Sequence, residues 1–311
     1  MSRVIAVANQ KGGVGKTTTS VNLSASLAMS GGSVLLVDLD PQGNATMGCG
    51  VDKSAVEVSI YDWLLEDAAL ADVAVRCNGG FSVLPSNSDL TAAEMTLMQA
   101  EAREYYIKER LVRDASDYEY VIIDCPPSLN ILTVNALLAS DGVLIPMQCE
   151  YYALEGLAAL LETVESIRDH GNPDLVVEGL LRTMYDPRNS LTRDVSRQLI
   201  QHFGDQVFRT VIPRNVRLAE APSHGLPAIL YDRTSRGAVA YMALAGELRM
   251  KHQMEHELEH ELKHQMEHEL EQEMEHETEH VPKHKFEHEG EHKTEPQTKP
   301  QTPPSNGPSN V

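Results

Sequence analysis

Between an apolar run at residues 4–8 and a helix-period stretch from residue 17, the chain reads Asn9-Gln10-Lys11-Gly12-Gly13-Val14-Gly15-Lys16-Thr17-Thr18. Glycines at 12, 13 and 15 let the backbone curl until consecutive N–H groups face inward, a cradle for phosphate oxygens. The helix that follows adds the positive end of its dipole. In such a loop Lys16 reaches the β- and γ-phosphates and the Thr17 hydroxyl ligates Mg²⁺, while Gly12, Gly13, Val14, Gly15 and Thr18 complete the nucleotide-binding segment. The loop works where a strand runs into a helix at the carboxyl edge of an open parallel sheet. It therefore dictates the order of elements at this end of the chain.

Further apolar runs at residues 34–38, 81–85, 120–124, 142–147, 176–184 and 207–213 read as strands. Between them, helices are expected at 17–30, 91–115, 129–139, 153–170, 191–203 and 235–250. Strands alternating with helices imply crossover connections, so the expected fold is α/β: a doubly wound, mostly parallel sheet with helices on both faces. Past residue 250 Asp and Arg vanish, Glu and His dominate, and ten of the 13 histidines occur. The expected division is a globular body carrying the phosphate loop, residues 1–250, and a low-complexity Glu/His-rich tail, residues 251–311.

Two more segments end in acids. Residues 36–44 read Leu36-Val37-Asp38-Leu39-Asp40-Pro41-Gln42-Gly43-Asn44. Carboxylates one residue apart at a strand's carboxyl end approach the crevice above the phosphates, where one can hold magnesium-bound water or orient an attacking water. The same string also makes a plain Asp-Pro, Gly-Asn turn. The run 120–124 closes on Asp124 and continues Cys125-Pro126-Pro127-Ser128, which places an acid to hold a magnesium water.

Lys11 is not required by an ordinary phosphate loop. The string K-G-G-V-G-K-T-T resembles the deviant Walker A box of the ParA/MinD ATPases, and the Asp38 and Asp124 segments resemble the two switch regions of the ParA/Soj branch. The likeness continues through residues 182–186 and 212–222 and covers about residues 3–249. It implies a weak Mg²⁺-dependent ATPase. Lys11 would cross a dimer interface to the partner's nucleotide, as an arginine finger does. By the same resemblance Asp40 positions the attacking water, Thr17, Asp38 and Asp124 serve the metal, and Met184, Pro213 and Asn215 frame the adenine. It also implies an ATP-bound homodimer that binds double-stranded DNA without sequence preference. A ParB-like partner would stimulate hydrolysis and release the dimer during chromosome or plasmid segregation. Two other uses stay open: a cargo-positioning ATPase on the same switch, and a DNA-coating regulator with incidental hydrolysis.

The formal charge of −20 is unevenly spread. Residues 180–250 hold ten arginines, no lysine and six acids, a local charge of +4. Arginine forks suit phosphate, and the scarcity of aromatics there points to duplex backbone rather than stacked single strands. Arg188 and Arg217 stand at positions resembling the family's DNA-contacting arginines. The same side chains can instead pair with Asp186, Asp194, Asp205, Glu220 and Asp232. No window approaches 18 consecutive apolar residues, and Met1-Ser2-Arg3 leads straight into a strand-like run rather than a secretory signal. The four cysteines lack a C-x-x-C pair and are expected to be reduced and packed. The expectation is a cytoplasmic, nucleoid-associated protein with no membrane association, and no helix-turn-helix ahead of the loop.

In the tail, His252, His256, His260, His264 and His268 recur every four residues, with Met254, Leu258, Leu262 and Met266 two residues behind. A period of four exceeds 3.6, so the stripe winds around a helix and makes no coiled-coil seam. A helix is expected from 251 to about 280, stopped by Pro282, with a disordered end. Histidines at i and i+4 can chelate a divalent metal, but a repeat expansion without ligand is the favoured reading. Its net charge of −9 disfavours an anionic membrane.

Overall fold

A computed structural model describes residues 2–279. In chain order the elements are β1 (Arg3–Val7), α1 (Lys16–Met29), β2 (Val34–Asp38), α2 (Asn44–Gly48), α3 (Ile60–Leu65), α4 (Leu70–Val73), β3 (Val75–Arg76) and β4 (Ser82–Leu84). There follow α5 (Leu90–Leu97), α6 (Tyr106–Asp114), β5 (Tyr120–Asp124), α7 (Ile131–Ala139), β6 (Gly142–Gln148) and α8 (Ala153–His170). The last are β7 (Val176–Tyr185), α9 (Ser190–Phe203), β8 (Val207–Pro213), α10 (Val216–Glu220), α11 (Ala228–Tyr231) and α12 (Arg236–Glu279).

The strands form one sheet in the order β3-β4-β2-β5-β1-β6-β7-β8, parallel except for the edge strand β3. Its strands are apolar on both faces because helices cover both. Alternate residues divide cleanly: Val4, Ala6, Leu35, Val37, Val121 and Ile123 pack with α3 and α5–α9, whereas Ile5, Val7, Val34, Leu36 and Ile122 pack with α1 and α12. Helix α1 is buried almost all round and carries Thr19, Ser20, Asn22, Ser24 and Ser26 inside. Short polar side chains are tolerated there because Ser24 and Ser26 donate to carbonyls four residues back, and Asn22 donates to Thr18 O.

The expected α/β class, the seven strands and the helix at 153–170 correspond to observed elements. The expected single helix at 91–115 is corrected to α5 and α6. Between them Ala102 takes a left-handed φ of 49°, and Asn135 of α7 donates to Arg103 O and accepts from Ile107 N. Those tertiary bonds replace the helical ladder. Helix α12 joins the expected segments 235–250 and 251–280. By contacts the chain divides into Met1–Glu255 and His256–Val311. Pro282, the histidines beyond it and the Pro/Thr/Ser/Asn-rich end lie outside the described residues. Among the described residues no helix is long and apolar enough to cross a membrane.

Candidate nucleotide site

Strand β1 leads toward β2 on one side and β6 toward β7 on the other, so a crevice opens between their diverging carboxyl ends. The glycine loop occupies it. Gly13 and Gly15 have φ of +73° and +90°, and a Cβ on Gly12 or Gly13 would meet nothing within 4 Å. The loop thus has glycine's backbone curl and open space above it. Two strands tie it down from the far side: Thr183 Oγ1 donates to Val14 O at 2.7 Å, and Gln148 Nε2 to Gly13 O at 3.2 Å. Neither was singled out from the sequence; their position at the carboxyl ends of β7 and β6 was the available signal.

Lys16 begins α1, is 7% exposed, and donates from Nζ to Lys11 O at 3.3 Å. Burial lowers its pKa, against the pull of Asp124 and Asp40 nearby. Lys11 turns the other way, with Nζ 2.7 Å from Glu150 Oε2 and both side chains about half exposed.

The parallel register sets Asp38 directly opposite Asp124. Both are fully buried. Asp38 Oδ2 accepts from Thr46 N and Thr46 Oγ1, each at 2.7 Å, and Oδ1 accepts from Asp40 N. Asp124 Oδ1 accepts from Ser20 Oγ at 2.8 Å, and the Thr17 hydroxyl lies beside this carboxyl, but Asp124 Oδ2 is buried with no partner. Burial first, and the facing acid second for Asp124, raise both carboxyls, Asp124 to about 8 and Asp38 to about 6. An orphaned carboxylate oxygen beside hydroxyls is a donor set suited to a hard divalent cation that completes its shell with phosphate and water. Asp40 sits one step further out, half-buried, its Oδ1 accepting from Gln42 N at 2.9 Å. Lys16, Asp38, Asp40 and Asp124 are therefore brought together.

Met184, Pro213 and Asn215 reach the same end of the sheet, since Tyr185 is in register with Pro213. Met184 adopts φ +48° and its sulfur meets the Gln148 amide that also holds the loop. Asn215 caps α10 by accepting from Arg217 N. The arginines divide. Arg182 is corrected from a phosphate candidate to a packing residue: it is buried and donates to Ser196 Oγ, Phe208 O and Arg209 O. Arg188 is exposed and paired with Asp186 at 2.8 Å, and Arg217 pairs with Glu220 at 2.7 Å and Asp232 at 3.3 Å. Among the described residues, which include His252 to His268 of the tail, no group of three or more His, Cys, Asp or Glu is placed to hold a metal.

A family model described as an AAA domain matches residues 2–177. The sporulation initiation inhibitor protein Soj of Bacillus subtilis is 54% identical over 249 residues, 80% of this chain and 98% of that one. The chromosome partitioning protein ParA of Caulobacter vibrioides is 49% identical over 249 residues, 79% of this chain and 93% of that one. The solved structure of a Mycobacterium smegmatis protein named cobyrinic acid a,c-diamide synthase, with bound ATP analogue and magnesium, is 40% identical with a TM-score of 0.70, covering 79% and 93%. A match of 249 residues takes in far more than the glycine loop, and on that breadth the chain belongs to the ParA/Soj family of chromosome-partitioning ATPases.

Proposed function

We propose that this chain is a Mg²⁺-dependent ATPase that uses ATP to time its attachment to DNA during chromosome or plasmid partitioning. The activity is assigned to residues 1–250, with 251–311 as a low-complexity tail. The observation that carries the reading is the orphaned Asp124 oxygen beneath an open glycine loop. A buried acid without a cation is unfavourable unless a cation arrives with the ligand.

The N–H groups from Gly12 to Thr18 hold the phosphates of ATP, and Lys16 exchanges the Lys11 carbonyl for phosphate oxygens. Thr17 and Asp124 would hold the metal, with Asp38 supporting it from further back. Magnesium, when bound, draws charge from the β- and γ-phosphate oxygens. Asp40 orients the attacking water. Met184, Pro213 and Asn215 border the base. Lys11 leaves Glu150 to reach the nucleotide of a second copy; a half-exposed pair of this kind is worth under about 1 kcal/mol, so the swing costs little. Arg188 and Arg217 likewise exchange surface carboxylates for DNA phosphates. A ParB-like protein stimulates hydrolysis and release.

DNA co-sedimentation with ATP, ADP or no nucleotide, repeated across salt concentrations, tests the cycle. Retention is expected with ATP alone and should fall steeply with salt. Retention indifferent to nucleotide would leave a DNA-coating protein with incidental hydrolysis. Asp40→Ala is expected to bind ATP, dimerise and stay on DNA; release at the wild-type rate removes Asp40 from the water-positioning role.

A further inference from the structure

Glycine permits many backbone curls, and something outside the loop must select one. Two side chains on neighbouring strands do so. Gln148 closes β6, and the parallel register sets it directly opposite Thr183 of β7. Gln148 Nε2 donates to Gly13 O at 3.2 Å, and Thr183 Oγ1 donates to Val14 O at 2.7 Å. One rung of the sheet therefore grips two successive peptide groups. A trans peptide is planar, and its N–H points opposite to its C=O; no peptide bond of the described chain is cis. Fixing Gly13 O thus aims the Val14 N–H away from Gln148, and fixing Val14 O aims the Gly15 N–H away from Thr183. Neither N–H has an acceptor of its own among the described residues. The Gln148 amide also meets Met184 Sδ at 2.7 Å, beside a backbone whose φ of +48° is kept only where neighbours determine it.

We propose that Thr183 and Gln148 are positioning residues for the nucleotide. They set the direction of the Val14 and Gly15 N–H groups, two donors of the cradle that serves the α- and β-phosphates. Both act through the backbone of the loop. Those phosphates are common to ATP and ADP, and the N–H groups hold them alike before and during cleavage of the terminal phosphate. Losing the alignment therefore weakens binding and spares the chemical step. The assignment rests on the proposed ATPase reading for the identity of the ligand.

The full chain is compared with three variants by calorimetric titration with MgATP and MgADP, steady-state turnover and thermal melting. Thr183→Val keeps the side chain's shape and removes its donor, whereas Thr183→Ser keeps the donor and removes the methyl. Thr183→Val should weaken MgATP and MgADP alike by about tenfold, because the donors it misaligns bond to charged oxygens. KM should rise by the same factor while kcat falls by less than about twofold. Thr183→Ser should restore both affinities. Gln148→Leu, at the longer bond, should weaken both nucleotides by about threefold. Wild-type affinity in folded Thr183→Val overturns the proposal, whether or not the melting temperature falls. So does a Thr183→Ser variant as weak as Thr183→Val, which would make the methyl's packing the cause. Should Thr183→Val fail to fold, Gln148→Leu decides, and wild-type affinity there overturns the rung. Full-length protein that binds MgATP without hydrolysing it counts against the ATPase reading alone, and a loss of affinity in Thr183→Val would still support the positioning role.

Discussion

Two buried acids in one sheet have opposite fates. Asp124, at the carboxyl end of β5, receives one hydrogen bond from Ser20, faces a second acid, and is raised to about 8. Glu178, near the amino end of β7, meets Arg3 Nη2 at 3.1 Å, Lys251 Nζ at 3.0 Å and His252 Nε2 at 2.9 Å. Burial would raise it too, but His252, Lys251 and Arg3 outweigh burial and hold it at about 2. Burial is common to both, so what separates them is whether the fold itself delivers cations. The β7 register skips Glu178, with Val143 opposite Val177 and Leu144 opposite Gly179. A bulge of this kind re-aims a side chain. Here it turns Glu178 over Gly142, where a Cβ would lie 2.7 Å from Oε2. One end of the sheet is electrostatically closed by its own chain. The other is left for a ligand.

The largest expected effect is on chemistry. Asp124→Asn should lower ATP turnover by about a hundredfold or more. It should not lower the melting temperature of the metal-free protein, because a neutral amide replaces an orphaned acid. Retained turnover would remove Asp124 from the metal site. Glu178→Gln should do the reverse: about 2 kcal/mol lost in urea unfolding, since Arg3 and Lys251 lose a charged partner, with turnover of the folded protein unchanged. An unaffected midpoint would mean that Glu178 does not secure α12.

The pH dependence sharpens the contrast. Asp38 and Asp124 are raised, so their contribution to stability is full below the ordinary carboxylate range and is lost as pH rises through about 6 to 8. Glu178 is lowered, so its contribution is present at neutral pH and is lost only as pH falls toward about 2. The metal-free protein should therefore melt a few degrees lower at pH 8.5 than at pH 5.5. In Asp124→Asn that slope should flatten, which isolates this carboxyl's share; an unchanged slope would refute it. The smallest effect on stability belongs to exposed pairs. Arg188→Ala should leave the melting temperature unchanged, while DNA retention weakens and its salt slope drops by about one. Loss of stability instead would assign the Arg188–Asp186 pair to the fold.

Much of this was legible in the chain. The strands stood out because both of their faces are buried, which makes each a continuous apolar run. The loop stood out because its glycines and Lys16 answer a local backbone requirement. The break between α5 and α6 did not, since Asn135 supplies its hydrogen bonds from another helix. Nor did the inward turn of Arg182, whose acceptors lie on α9 and β8. The contact between Thr46 and Asp38 was equally hidden, because spacing along the chain says nothing about which segments meet.

The sequence by itself determined the α/β class, the position of the glycine loop between a strand and a helix, and which acids end strands. Those follow from periodicity and from backbone conformations set by a few neighbouring residues. Only the tertiary structure decided which buried acid is paired. Parallel pairing of β2 with β5 brings Asp38 and Asp124 face to face, while the return of α12 carries Lys251 and His252 to Glu178. Charge interactions depend on distance through space, and the distances were set by strand register and crossover.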